Sequence, residues 1–207
     1  YLNRWFSANH KYKSLHILEP KYGAYMGNAD AVYQNTDFLR GNSADLVMIM
    51  AGDMVYKMDY GKLIENHRRS GADATICIAK VPVEQASRYG VVTIGKDSRI
   101  TSYLEKPEIP QSNIASMNIF ITGKQLLIEA LAEDAAIASS PHDFGHAILP
   151  RMVRQNNVKA FIHNGYWRDI ATPQVYYDAN MDFLPDNFSC FDDNSWPIFK
   201  EPVQFGE

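Results

Sequence analysis

An α/β domain organised around a buried, parallel-type sheet is the fold class this sequence predicts, and three observations carry the prediction. Segments of strand and helix character alternate along the chain, as in βαβ units. The run Leu46-Val47-Met48-Ile49-Met50 is apolar at every position, so it is expected to be a strand covered on both faces. It then breaks at Ala51-Gly52 and delivers the carboxylate Asp53 at a strand's carboxyl end, where open α/β sheets bind ligands.

The remaining elements come in order. Tyr60–Ser70 is expected to be a helix, with Leu63, Ile64 and His67 on one stripe and Gly71 supplying the stop. Residues 74–81 form a second apolar strand ended by Pro82. Gly90–Ile94 and Ile100–Glu105 form a hairpin about the turn-like Gly95-Lys96-Asp97-Ser98. Residues 114–121 are another strand, and a helix begins over 124–131. Residues 144–155 look helical, with Pro150 kinking or dividing them. A short strand covers 159–163, and a helix covers 173–184, with Thr172 as N-cap and Pro173 in its first turn. Residues 185–202, rich in Asp, Asn, Ser and Pro, read as a linker around the apolar patch Trp196-Pro197-Ile198-Phe199.

Composition narrows the function classes. With 46% hydrophobic and 21% charged residues, 207 residues suffice for one sizeable core. A net charge of -4 offers no basic footprint for nucleic acid, and no apolar run of about 18 residues spans a membrane. Two cysteines, Cys77 in an apolar run and Cys190 far from it, fit a reducing, cytoplasmic setting. The first residues, Tyr1 to Phe6, already look like mid-helix, so a piece of a longer protein is expected.

Three clusters besides Asp53 can carry chemistry. In Glu105-Lys106-Pro107, the proline fixes the chain's direction where Lys106 can neutralise a phosphate; alternatively the pair is a solvated turn. In Tyr166-Trp167-Arg168-Asp169, the aromatics suit a sugar or base and Asp169 a metal; alternatively Trp167 is core, and Asp169 pairs with Arg168 or caps the next segment. In His142-Asp143-Phe144-Gly145, Asp143 can accept from sugar hydroxyls or can cap the next helix. Asp53 has the same pair of readings, metal ligand or cap. Two aspartates and a lysine together suit phosphoryl chemistry, which needs a carboxylate-held Mg²⁺ and cations against developing charge.

The ordered set Gly27-Asn28-Ala29-Asp30-Ala31-Val32, Ala51-Gly52-Asp53, Tyr89-Gly90-Val91, Glu105-Lys106-Pro107, Ala115-Ser116-Met117, Asp143-Phe144-Gly145, Tyr166-Trp167-Arg168-Asp169 and Trp196-Pro197-Ile198 resembles the ADP-glucose pyrophosphorylase (glucose-1-phosphate adenylyltransferase) family. The resemblance implies the sugar-nucleotidyltransferase fold, a mixed, mostly parallel Rossmann-like sheet. It implies ADP-glucose and pyrophosphate made from ATP and glucose 1-phosphate, with Mg²⁺, in glycogen- or starch-type synthesis. By position, Asp53 and Asp169 look like the metal-binding aspartates and Lys106 like the lysine on the sugar phosphate. Gly90, Glu105, Ser116, Asp143, Phe144 and Trp167 match positions around the glucose phosphate. A homo- or hetero-oligomer, a tetramer, is implied as well.

Several positions depart from the family pattern. Asn28 stands for a threonine, Met54 for a histidine, Asn118 and Phe120 for a glycine and a tyrosine, and Ala171 for a glycine. No counterpart of the family's N-terminal strand, phosphate-cradling glycine-rich loop or C-terminal β-helix occurs in these residues. Residues 1–184 are therefore expected to form part of a catalytic domain and 185–207 a linker, inactive by themselves. A regulatory subunit without catalysis, or a pyrophosphorylase for another sugar nucleotide, are the competing expectations.

Overall fold

The structure, a computed structural model, describes residues 16–184. The expectations for residues 1–6, for the linker with its Trp196-Pro197-Ile198 patch, and for Cys190 lie outside the described residues.

One ten-residue strand organises the sheet. β1 (Leu46–Met50) pairs antiparallel with the far half of β6 (Ile114–Gly123), from Leu46 opposite Gly123 to Met50 opposite Ile119. β3 (Ala74–Lys80) runs antiparallel along the other edge of β6, and β7 (Val158–Ile162) pairs parallel with β3. β4 (Gly90–Ile94) meets β6 at Ala115 and forms the hairpin with β5 (Ile100–Glu105). A separate ribbon joins β2 (Met54–Tyr56) to β8 (Trp167–Asp169).

Alternation along these strands fills two apolar layers. Val47 and Ile49 of β1 pack into one, with Ile76, Ile78 and Phe120; Leu46 and Met48 pack into the other, with Cys77, Met117, Ile119 and Ile121. Helices α1 (Asn28–Gln34), α2 (Thr36–Arg40), α4 (Lys124–Ala135) and α5 (Leu149–Gln155) lie in chain order around α3 (Tyr60–Ser70) and before α6 (Pro173–Met181). Ala29, Leu127, Leu131 and Met152 of α1, α4 and α5 join the first layer, and Leu63 of α3 joins the second. Truncating a fully buried side chain such as Phe120 to alanine would cost about 3–5 kcal/mol.

The α/β class and the mixed sheet hold, but the mostly parallel arrangement does not. Among the described strands only β3 and β7 are parallel; the other pairings are antiparallel. The physical reason is that an unbroken apolar run reports two covered faces and says nothing of strand direction. β1 is also only half-buried, because β6 is its single strand partner. Helix α3 matches its expected bounds, and Gly71 ends it in the left-handed conformation, φ 61°. Pro150 does divide the 144–155 stretch, into a π-helical turn (Phe144–Ile148) and α5.

Candidate active site

The cleft arises because β6 changes partner along one edge. Residues 119–123 of β6 take β1, Ala115 takes β4, and the positions between are left to the chain turning away. Asn118 adopts a left-handed conformation there, φ 54°, and its carbonyl accepts from the Ala51 amide at 3.1 Å. Asparagine is among the side chains that tolerate this region best, so it is a natural stand-in for glycine. The gap opens into a cleft of about 890 Å³ whose walls include Asp53, Glu105, Lys106, Asn118, Asp143 and Phe144.

Glu105 forms the floor. The Tyr103 hydroxyl donates to its Oε2 at 3.0 Å. Gly90 lies against the Tyr103 hydroxyl and Glu105 Oε2, and Gly145 lies against the same carboxylate, so a Cβ at either glycine would collide with it. Tyr103 and Ser116 are buried beneath. Burial first, then the nearby Glu105 charge and hydrogen bond, push the Tyr103 ionisation well above the ordinary tyrosine value; Ser116 works the other way.

Lys106 comes next, in a left-handed conformation, φ 44°, with its amide donating to the Tyr89 carbonyl at 3.0 Å. Its exposed ammonium group has no ion pair among the described residues. Across the cleft, Asp143 caps the π-helical turn: its Oδ1 accepts from the His146 amide at 2.9 Å and lies 3.0 Å from His146 Nδ1. Burial opposes ionisation of Asp143, but these hydrogen bonds outweigh it and hold the carboxyl below its ordinary range. Asn28 Oδ1 accepts from the Phe144 amide at 2.8 Å, and the Phe144 ring meets Phe120 edge-on at 5.3 Å. His142, tied to the buried Asp134 at 3.0 Å, accepts from the amides of Ala29 and Asp30 through its carbonyl.

The ribbon brings the two distant aspartates together at the main chain. Met54 stands opposite Asp169, and the Ile170 amide donates to the Asp53 carbonyl at 2.9 Å. Asp53 is exposed and lines the large cleft; Asp169 is half-buried and lines a second cavity of about 650 Å³ with Tyr89, Trp167 and Arg168. Asp169 Oδ1 accepts from the Ala171 amide at 2.9 Å. Arg168 does not pair with it: its Nε and a terminal nitrogen donate to Asp182, at 2.7 and 3.2 Å, and the Tyr166 hydroxyl joins at 2.8 Å. Nor does Asp53 cap a helix; Asp59 does that for α3, accepting from the Gly61 amide at 2.9 Å.

Thus Asp53, Glu105, Lys106, Asp143 and Phe144 share one cleft, Gly90 and Ser116 support its floor, and Trp167 and Asp169 face the adjoining cavity. Trp167 packs on Tyr89 at 5.2 Å, and its indole nitrogen is buried without a hydrogen-bond partner. Sequence reasoning missed Tyr103 and the Arg168–Asp182 pair. Tyr103 had a usable signal, since in a strand positions 103 and 105 share a face. Asp182 had none, lying just past the α6 helix it was folded into.

Carboxylates of this kind fit a hard divalent cation. Mg²⁺ is commonly held by one or two carboxylates, waters and substrate phosphates rather than by a full protein cage. Asp53 and Asp169 are main-chain neighbours without an ion pair, and among the described residues no third acidic, His or Cys side chain joins them into a full protein cage.

Comparison with known proteins gives a consistent picture. Residues 2–185 match the family described as Nucleotidyl transferase. The glucose-1-phosphate adenylyltransferase of Halalkalibacterium halodurans is 42% identical over 187 residues, covering 87% of this chain and 49% of the relative. That of Thermotoga maritima is 41% identical over 207 residues, covering 96% and 49%. That of Clostridium novyi is 42% identical over 161 residues, covering 77% and 42%. The chain therefore spans about half the length of the curated relatives it matches.

Proposed function

Because the chain belongs to the nucleotidyl transferase family, we propose that the protein containing it joins ATP and glucose 1-phosphate to give ADP-glucose and pyrophosphate. In the reaction, an oxygen of the sugar phosphate bonds to the α-phosphorus of ATP while the α–β bridging bond breaks, its electron pair leaving with pyrophosphate. Such transfer asks for positioning and charge stabilisation more than for covalent help from protein.

The observation that carries the reading is the junction of Asp53 with the β8 strand, supported by the Ile170–Asp53 hydrogen bond, beside a cleft holding Lys106 and Glu105. Lys106 supplies a point charge for the sugar phosphate. Glu105 and Asp143 accept from sugar hydroxyls, and Phe144 gives the ring an apolar wall. Gly90 leaves the Glu105 carboxylate its slot, and Ser116 hydrogen-bonds the Tyr103 hydroxyl beneath it. Trp167 fixes β8, the strand that carries Asp169. Asp53 and Asp169 would hold Mg²⁺, which when bound neutralises phosphate charge. In the same reading residues 1–184 are part of the catalytic domain, 185–207 are a linker, these residues alone are inactive, and the intact protein is a cytoplasmic oligomer. The buried Cys77 thiol, its ionisation pushed up to about 12 by burial, suits a reducing compartment. Among the described residues no helix is long and apolar enough to cross a membrane.

A regulatory subunit is the second reading. Met54 and Ala171, both departures from the family pattern, flank the metal ribbon at Asp53 and Asp169. Pyrophosphate release by the full-length protein separates the two, with glucose 1-phosphate, Mg²⁺ and ATP, UTP, dTTP or GTP in turn. Release with ATP is expected. Preference for another nucleotide would replace the substrate assignment, and silence with all four would favour the regulatory subunit.

A further inference from the structure

Three elements converge on one carboxylate: the start of β4 at Gly90, the end of β5, and the π-helical turn at Gly145. Glu105 Oε2 is occupied by the Tyr103 hydroxyl at 3.0 Å, while Oε1 takes no hydrogen bond among the described residues. A glutamate on a flexible stem ordinarily samples several rotamers, and immobilising one costs side-chain entropy. Here packing supplies that restriction before any ligand arrives, because the glycines leave the carboxylate a single slot and the hydroxyl is buried at its base.

We propose that Tyr103 is a positioning residue for sugar-phosphate binding: its hydroxyl pins one oxygen of Glu105 so that the other is presented to the sugar. It rests on the assignment of the cleft to a sugar phosphate and goes beyond it by naming a residue that never touches the ligand. Tyr103 is a donor that phenylalanine cannot replace, although phenylalanine fills the same volume.

Calorimetric titration of glucose 1-phosphate into the full-length protein tests it. Tyr103→Phe is expected to weaken sugar-phosphate binding about tenfold, in line with losing a hydrogen bond to a charged group. Binding of ATP should stay unchanged while that of glucose 1-phosphate falls, a split that a merely structural role would not give. On a Glu105→Ala background the same substitution should have no further effect. Equal affinity of wild type and Tyr103→Phe would overturn the proposal alone. So would a tenfold loss that persists on the Glu105→Ala background. A wild type that binds ATP but no glucose 1-phosphate would remove the cleft assignment, and this proposal with it.

Discussion

Glu105 sits in a slot with no room for a methyl group at either flanking glycine, whereas Asp53 and Asp169 ride on a ribbon of two three-residue strands, one exposed and one half-buried. The first carboxylate is fixed by side-chain packing; the other two are carried by main-chain pairing, with Asp169 Oδ1 also accepting from the Ala171 amide and neither carboxylate held in an ion pair among the described residues. The contrast matches the ligands proposed for each. A sugar hydroxyl needs an acceptor at one angle, so rigidity helps. A hydrated cation completes its shell with water and phosphate, so free carboxylates help.

The strongest way to break this comparison is Asp53→Asn in the full-length protein. Turnover should fall about a thousandfold with an unchanged thermal midpoint, because an exposed side chain supports the reaction and not the fold. Pyrophosphate release at the wild-type rate would make the ribbon an ordinary surface feature. Gly145→Ala attacks the other region. Its Cβ would meet the Glu105 carboxylate, so a stability loss of about 2 kcal/mol by urea titration is expected from overpacking, with glucose 1-phosphate affinity falling more than tenfold. Loss of affinity for ATP instead would place the sugar elsewhere.

Smaller effects sharpen the picture. Asp182→Asn releases Arg168, a pair partly open to solvent and worth no more than about 1 kcal/mol. The freed guanidinium neighbours Asp169 in sequence, so the Mg²⁺ concentration for half-maximal turnover should rise severalfold while midpoint stability barely moves. The smallest effect is a pH dependence at Asp143. Its folded-state ionisation lies below the ordinary value of 3.8, so its contribution is present above that value and lost as pH falls through the depressed one. Urea midpoints for Asp143→Asn should therefore decline less steeply than wild type below about pH 4.

Much of the fold was legible because local signals agreed with it. Tyr60–Ser70 carries its stripe and its Gly71 stop; Thr172 caps α6 through the Val175 amide at 3.3 Å; and the 95–98 turn contains Asp97 and Ser98 in left-handed conformations. What failed to show was whatever depends on partners distant in sequence. Strands β2 and β8 are three residues each and exist by pairing with one another, so neither leaves a periodic trace. Helices α1 and α2 were missed too, although Asp30 and Gln34 within α1 have a plain task there: their side chains hold the 21–26 loop through the amides of Met26 and Lys21, at 2.9 and 3.0 Å. The carboxylates proposed for the site were each legible as single residues. Their grouping into a packed floor and an open ribbon was not, since no spacing in the chain encodes it.

The ribbon also has a consequence in time. Its two strands are separated by about two thirds of the described chain, and closing so long a loop is penalised in entropy before any contact repays it. On a ribosome, β1 and α3 emerge long before Trp167–Asp169, so Asp53 must wait for its neighbour until most of the sheet has been synthesised. Competence for chemistry then waits until the apolar layers have already committed this part of the molecule to its shape.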